Sequence, residues 1–251
     1  MTNNKKVVLG WIDGGSITSG FAAHVSGLLL SRGDVIENVV VATGPYLSAN
    51  RNVMVRTFLE NTSAEWLLSL DTDILIDLES FDTLIDSLDV EKYQVLGGKY
   101  YVPLANGPEL GAQTFNKDDS DSGVWINHDS PLLNQPIIDN LHSVGAGFML
   151  VHRTVFETIA KNAANPMPWF QDYWKDYPSN GWISDDIHFF AQVRKYNFNV
   201  ALCTSATSTH LKSSSLDDNA YLTYHAYNKY QQEKHYQSGK GKSWWVKGKK
   251  R

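Results

Sequence analysis

The sequence contains one cysteine, Cys203, among its 251 residues, so no disulfide bond can form within the chain. No apolar run approaches the ~18 residues that a membrane-spanning helix needs, so we expect no integral membrane segment. The apolar stretch near the N-terminus is too short for a secretion signal, and with the lone cysteine it leads us to expect a cytoplasmic protein. Hydrophobic residues make up 42% and charged residues 20%, which excludes collagen-like, disordered and disulfide-rich chains.

Charge is unevenly spread along the chain. The net charge is −5, but residues 233–251 hold seven Lys or Arg side chains and a single acid. This segment therefore carries +6, and the rest of the chain carries −11. We expect one domain over residues 1–232, followed by a basic tail over 233–251 that includes Trp244 and Trp245. Such a tail is either a solvated terminus or a segment that attracts a polyanion such as DNA.

Apolar, β-branched runs alternate with amphipathic segments, which predicts an α/β fold with a central, mostly parallel sheet flanked by helices. The predicted strands are Lys6–Ile12, Val35–Ala42, Trp66–Leu70, Tyr93–Gly97 and Asn199–Cys203. The predicted helices are Ser19–Ser31, Asn50–Leu59, Leu78–Leu88, Thr154–Ala163 and Ser184–Tyr196, the first capped by Thr18 and the last by a serine. The segment Pro103–Pro136 is rich in Gly, Asn, Asp, Ser and Pro, and we expect irregular or hairpin structure there.

The triplet Asp71-Thr72-Asp73 directly follows the predicted strand Trp66–Leu70. Ligands of open α/β sheets bind at the carboxyl ends of strands, and two carboxylates there make a hard oxygen site. Such a site suits Mg²⁺ or Mn²⁺, which can in turn hold substrate phosphates. A second triplet, Asp119-Ser120-Asp121, lies in a polar segment with no preceding strand, and we interpret it as solvated surface.

Two downstream features strengthen the functional interpretation of the first triplet. Ser184-Asp185-Asp186 begins a predicted helix, where acids either favour the helix dipole or act as a general base in a cleft. His210 follows the last predicted strand, where it is either structural or a ligand for a divalent ion. Each feature alone is common, but their order along the chain is not.

The order LLSLDTD, VGAGFMLVHR, SDDIHFF and TSTH resembles a glycosyltransferase of the GT-A fold, over roughly Val7 to His210. Within that fold the chain is most similar to compact family-2-like enzymes of bacteria and bacteriophages. The resemblance implies a Rossmann-like single domain that moves a hexosyl or pentosyl group from a nucleotide diphosphate-sugar to an acceptor hydroxyl. It also implies a UDP-sugar as donor, inversion at the sugar, and Mn²⁺ or Mg²⁺ as cofactor.

The resemblance also assigns roles to the acids and the histidine. Asp73 would ligate the metal that bridges the donor diphosphate, and His210 would complete the metal shell. Asp71 would bind the ribose or sugar, or reach the metal through water. The acid pair at the helix start usually reads Glu-Asp, so Asp185 departs from the pattern and would contact sugar or acceptor. Asp186 would be the catalytic base.

Further residues are implied to bind donor or acceptor. The donor candidates are Asp13, Gly14, Arg51, Asp71, Gly145 and Gly147, although both later glycines would equally allow a strand bulge or close packing. The acceptor candidates are Trp169, Trp174 and Trp182, in an aromatic segment that forms either an acceptor-binding lid or a packed cap over the sheet. The basic tail raises a modified base in phage DNA as a possible acceptor.

Two other functions stay open at this level. A metal-dependent nucleotidyltransferase would usually have a glycine-rich phosphate loop after its first strand. The segment Asp13-Gly14-Gly15-Ser16 has the glycines but no Arg or Lys. The other alternative is a non-catalytic protein of the same fold that binds carbohydrate or nucleic acid.

Overall fold

The computed structural model describes residues 5–104, 107–115, 117, 123–127, 129–174, 182–212, 215–218, 221–222, 224–226 and 229. The helices are α1 (Ser19–Ser31), α2 (Leu47–Asn61), α3 (Leu78–Asp86), α4 (Arg153–Lys161) and α5 (Asp185–Lys195), with a short 3-10 helix at Pro131–Asn134. The strands are β1 (Val7–Asp13), β2 (Ile36–Thr43), β3 (Trp66–Asp71), β4 (Ile74–Leu75), β5 (Val95–Lys99), β6 (Tyr101–Leu104), β7 (Gly107–Leu110), β8 (Ala112–Phe115), β9 (Gly123–Trp125), β10 (Ile137–Ile138), β11 (Ser143–Val144), β12 (Phe148–His152), β13 (Tyr173–Trp174), β14 (Trp182–Ile183), β15 (Val200–Thr207), β16 (Thr209–Leu211) and β17 (Ser215–Leu216).

A seven-stranded sheet in the order β10-β15-β5-β12-β3-β1-β2 forms the centre of the molecule. Strands β1, β2 and β3 are parallel, and so are β5 and β15. Strand β12 lies antiparallel between β3 and β5, and β10 is antiparallel to β15 at the edge. The predicted α/β fold with a mostly parallel sheet is confirmed.

Both faces of this sheet are buried, which explains why its strands are nearly continuous apolar runs. Alternate residues of β1 belong to different cores: Val7 and Leu9 pack on one face, and Val8 and Ile12 on the other. Helices α1 and α3 cover the first face, and α2, α4 and α5 cover the second. The carboxyl ends of the parallel strands are thereby left as the accessible edge.

The helix starts show which expectations hold. Thr18 caps α1 as predicted, because its Oγ1 accepts a hydrogen bond of 3.1 Å from the amide of Phe21. Helix α2 is longer than predicted at both ends, and its first turn, Leu47 to Ala49, is largely exposed, so it adds no residue to the apolar pattern that defined the predicted helix.

The segment expected to be irregular or hairpin contains two antiparallel hairpins, β6–β7 and β8–β9, and β11 pairs with β8. They pack beside the carboxyl edge of the central sheet. In the part of the chain that the structure describes, no helix is long and apolar enough to cross a membrane. The domain boundary at residue 232 stays a prediction, because the basic tail lies outside the described residues. The second Asp-x-Asp triplet, Asp119-Ser120-Asp121, also lies outside them.

Candidate active site

The Asp71-Thr72-Asp73 triplet lies at the carboxyl edge of the central sheet, as its sequence context predicted. Asp71 is the last residue of β3, and Asp73 lies in the turn before β4. Strand β1 ends beside it, since Ile12 is paired with Asp71. The two carboxylates nevertheless have different partners, and they divide the site into two halves.

The first half, which we call the open half, consists of Asp73, His210 and Lys212. The Oδ2 atom of Asp73 lies 3.3 Å from Nε2 of His210 and 2.5 Å from Nζ of Lys212. His210 reaches it because β16 pairs with β4, which places His210 opposite Ile74. Burial raises the pKa of Asp73, but the hydrogen bonds and charges of His210 and Lys212 outweigh burial and lower that pKa to about 2.

The tautomer of His210 is set by its backbone partner. Its Nδ1 lies 2.7 Å from the carbonyl oxygen of Tyr101, which can only accept, so Nδ1 carries the hydrogen. The protonated ring donates from Nε2 to Asp73, and this form lowers the pKa of Asp73, whereas the neutral ring presents an Nε2 lone pair to the same carboxylate. Two electron-rich atoms in this position are stabilised by a shared cation, and imidazole fixed by a backbone carbonyl is typical of metal ligands.

The open half therefore fits a divalent ion such as Mn²⁺ or Mg²⁺, with one carboxylate oxygen and one imidazole nitrogen as protein ligands. Among the described residues, no group of three or more His, Cys, Asp or Glu side chains encloses a metal position. Further ligands would have to be substrate oxygens and water, which is usual for ions that hold phosphates.

The second half, the arginine half, consists of Arg51, Asp71 and Asp185. Arg51 of α2 lies with its Nη2 3.1 Å from Oδ1 of Asp71 and its Nε 3.3 Å from Oδ2 of Asp185. The Arg51 side chain is only 5% exposed. Burial alone would lower the pKa of Arg51, but the charges of Asp71 and Asp185 raise it. Arg51 thus joins the end of β3 to the start of α5.

This arrangement bears on two expectations. Arg51 is enclosed by protein and faces two carboxylates of the site, and its contact with the donor stays a prediction. Asp185 is 3% exposed, and burial raises its pKa although the charge of Arg51 acts in the opposite direction. Its contact with sugar or acceptor likewise stays a prediction. Both residues hold the site together.

Asp186 is the accessible acid of the pair. Its Oδ1 accepts hydrogen bonds from the hydroxyl of Ser184 and from the amide of Ile187, the latter at 2.8 Å. Ser184 is the N-cap residue of α5, as predicted, but its hydroxyl donates to Asp186 and makes no capping hydrogen bond. Asp186 lies near enough to Arg51 and Tyr100 for its charge to raise the pKa of both groups, after the larger effects of burial and of Asp71.

Tyr100 connects the two halves, and sequence reasoning missed it. Its ring packs edge-on against His210 at 5.5 Å between centroids, and burial followed by the charge of Asp71 raises its pKa. Gly145 and Gly147 make room for these groups. A Cβ on Gly145 would lie 1.8 Å from the Tyr100 hydroxyl, and one on Gly147 would lie 2.8 Å from Oδ2 of Asp71. Here the site's own side chains, and not a sugar, require the glycines.

The remaining donor candidates lie where they were expected. Asp13 ends β1 and accepts a hydrogen bond of 2.8 Å from the amide of Gly15, whose φ of +101° favours glycine. Gly14 between them is exposed, with nothing within 4 Å of a Cβ placed on it. Their role towards a nucleotide stays a prediction.

Of the three tryptophans proposed to bind acceptor, only Trp169 has a side chain among the described residues. Trp169 is 3% exposed, donates its indole N–H to the carbonyl of Phe156 at 2.9 Å and packs in the core. Its face is therefore not open to a ligand, which corrects that expectation. Trp174 and Trp182 are cross-strand neighbours in the β13–β14 ladder, but their side chains lie outside the described residues.

Comparison with known proteins bears on the fold. The structure of A197 from STIV matches with a TM-score of 0.54 at 18% identity, over 86% of this chain and 91% of A197. GalNAc-T7, solved with UDP, GalNAc and Mn²⁺, matches with a TM-score of 0.51 at 10% identity. That match covers 83% of this chain and 44% of GalNAc-T7, so the chain spans less than half of that protein.

No protein-family model matches the sequence, and a comparison with curated protein sequences found no match. The structural likeness is nevertheless sufficient to define the class of fold. The chain has a GT-A-like fold, with a mixed central sheet flanked by helices, like that of the glycosyltransferase GalNAc-T7.

Lys212 was also missed by sequence reasoning. It directly follows β16, two residues after His210, and its contact with Asp73 spans 139 positions, so no local sequence signal pointed to it. Its ammonium lies against Asp73 and its side chain is 39% exposed, so it can move between the carboxylate and solvent.

Proposed function

We propose that the protein is a metal-dependent glycosyltransferase that moves a sugar from a nucleotide diphosphate-sugar, with a UDP-sugar as the expected donor, to an acceptor hydroxyl. One observation carries this proposal: Oδ2 of Asp73 and Nε2 of His210 lie 3.3 Å apart at the carboxyl edge of a GT-A-like sheet. The presence of UDP and Mn²⁺ with GalNAc-T7 supports the choice of donor and metal.

The donor side is built by the open half. A divalent ion bound at Asp73 and His210 would offset charge on the diphosphate. Lys212 supplies a second positive charge that is free to turn from Asp73 towards a phosphate oxygen. The edge of β1 at Asp13 and Gly14 is the expected place of the nucleoside, because it adjoins Asp71 in the sheet.

The acceptor side is built around Asp186. In the proposed step, the acceptor oxygen forms a bond to the anomeric carbon while the bond from that carbon to the diphosphate oxygen breaks. The bonding electron pair leaves with the nucleotide diphosphate, and the acceptor proton passes to Asp186. Since Ser184 and Ile187 both donate to Oδ1 of Asp186, the described residues leave Oδ2 to receive this proton. A single displacement of this kind inverts the configuration.

The proposal is tested by nucleotide binding in the presence of metal. Uridine, guanosine, cytidine and thymidine diphosphates and their sugars are added with Mn²⁺, with Mg²⁺ or with EDTA, and thermal stability is measured. We expect one base to stabilise the protein only when metal is present, and Asp73→Ala to abolish the stabilisation. Stabilisation that persists in EDTA, or that is unchanged in Asp73→Ala, would overturn the metal assignment.

The role of Asp186 has its own variant. We expect Asp186→Asn to bind the donor as the wild type does, and to release nucleotide from the donor about 10²–10⁴-fold more slowly in the presence of acceptor. Wild-type transfer by Asp186→Asn would remove the base assignment and leave the donor site intact. The possible role of the 233–251 tail in DNA binding stays a prediction.

A further inference from the structure

A cavity lies beside the N-terminus of α5, apart from the Asp73–His210 pair. It lies between the β8–β9 hairpin, β11 and the start of α5, and we call it the Trp125 pocket. The residues that matter here are Gln113, Trp125, Ser143, Gly145, Ser184 and Ile187. We propose that the Trp125 pocket is the acceptor site and that it takes a neutral sugar ring, an inference that rests on the proposed glycosyltransferase function.

The pocket is bordered by two residues that hydrogen-bond to the proposed base. Ser184 and Ile187 line it, and these are the residues whose hydroxyl and amide donate to Oδ1 of Asp186. Gly145 lines it as well, and the same glycine accommodates the Tyr100 hydroxyl on the donor side. The pocket therefore shares Gly145 with the surroundings of Tyr100, and it shares Ser184 and Ile187 with the surroundings of Asp186.

The chemistry of the lining selects the class of ligand. Trp125 lines the pocket and is 36% exposed, so it contributes aromatic surface that a ligand can contact. Most of the lining is apolar, and the C–H face of a pyranose ring stacks well on an aromatic surface. The polar groups are few: Ser143 donates to Oε1 of Gln113 at 3.1 Å, which leaves the Gln113 amide nitrogen as a donor for a sugar hydroxyl.

The same lining disfavours a nucleic acid at this place. No described residue that lines the pocket is charged, whereas binding to a phosphate backbone relies on Lys and Arg. A neutral carbohydrate needs no such charges. The Trp125 pocket thus replaces the buried Trp169 as the aromatic surface for the acceptor.

The experiment uses the full chain and simple probes of the sugar class. Methyl α- and β-glycosides of glucose, galactose, mannose and N-acetylglucosamine are tested for binding by saturation-transfer NMR. We expect at least one glycoside to bind, and Trp125→Ala to weaken it about tenfold. Trp125→Phe should weaken glycoside binding less than Trp125→Ala does, because it keeps an aromatic face. Val124→Ala, an exposed neighbour on the same strand, should bind as the wild type does.

The outcomes separate this inference from the proposed function. Donor binding with Mn²⁺ should be unchanged in Trp125→Ala, and glycoside binding should survive Asp73→Ala. If no nucleotide binds in the presence of metal but glycoside binding depends on Trp125, the transferase proposal fails and the sugar site stands. If no glycoside binds, or if Trp125→Ala binds as the wild type does, the acceptor site is overturned. Binding of a hydroxymethylated oligonucleotide that depends on Trp125 would overturn the choice of a neutral sugar.

Discussion

Asp71 and Asp73 are separated by one residue, yet they lie in two different kinds of site. Asp73 faces His210 and Lys212, and the Lys212 side chain is 39% exposed. Asp71 faces Arg51, whose side chain is 5% exposed and also contacts Asp185. The open half thus has a displaceable cation, and the arginine half has one that is enclosed.

This difference indicates separate roles for the open half and the arginine half. A cation that exchanges with solvent leaves room for a metal and a diphosphate, which have to enter and leave in each turnover. A buried Arg between two carboxylates holds β3 and α5 together, and through α5 it positions Asp186. The two cations also offset part of the acidic charge of the site, so the cleft is less anionic than its four aspartates alone indicate.

The largest expected effect comes from removing the enclosed cation. Arg51→Gln would leave Asp71 and Asp185 facing each other without their partner, and breaking a buried ion pair costs about 3–5 kcal/mol of unfolding free energy. The measurement is urea unfolding of the full chain. Arg51→Lys keeps the positive charge but has fewer hydrogen-bond donors, so its unfolding free energy should fall by less than that of Arg51→Gln. A loss for Arg51→Gln below ~1 kcal/mol would show that the arginine half is not structural.

An intermediate effect is expected where glycine makes room for the site. Gly145→Ala would place a Cβ against the buried Tyr100 hydroxyl, and such overpacking costs about 1–3 kcal/mol. Gly147→Ala meets the carboxylate of Asp71, which is 35% exposed and can shift, so its cost should be smaller.

The matched control for these glycines is Gly27→Ala in α1. A Cβ there has open space, so the substitution should stabilise the protein by up to about 1 kcal/mol through helix propensity. Urea unfolding of Gly145→Ala, Gly147→Ala and Gly27→Ala measures the order of their unfolding free energies. Equal stability of Gly145→Ala and Gly27→Ala would contradict the close packing of Tyr100.

The smallest effect on stability is expected in the open half. Lys212→Gln removes a half-exposed ion pair and should change the unfolding free energy by no more than about 1 kcal/mol. It should, however, tighten Mn²⁺ binding about fivefold, since the ammonium no longer repels the ion at Asp73. Titration with Mn²⁺ followed by EPR measures this affinity. The control variant is Lys92→Gln, which removes a surface ion pair with Asp89. Weaker Mn²⁺ binding would mean that Lys212 does not compete with the metal.

The sheet was readable from the sequence because each central strand is buried on both faces, and it appears as an apolar run such as Val7–Asp13. The edge position of Asp71 and Asp73 followed from the strand before them. The partners of these acids did not follow. Lys212 meets Asp73 across 139 positions and His210 meets the Tyr101 carbonyl across 109, and such contacts depend on tertiary packing.

Burial was the other quantity that the sequence left open. Trp and Arg side chains often bind ligands when they are exposed. Here Trp169 packs in the core, and Arg51 is buried beside Asp71 and Asp185. Trp125 lies with Val124 and Ile126 in an otherwise polar segment, and its place in the wall of a cavity depends on the pairing of β8 with β9.

The most direct test of the division into two halves is Mn²⁺ binding by EPR in Asp73→Asn, His210→Ala and Asp71→Asn, each with the nucleotide diphosphate that stabilises the wild type. The account predicts that Asp73→Asn and His210→Ala lose bound Mn²⁺, and that Asp71→Asn keeps it, because Asp71 is committed to Arg51. Loss of Mn²⁺ in Asp71→Asn equal to that in Asp73→Asn, or no Mn²⁺ bound by the wild type, would contradict the account.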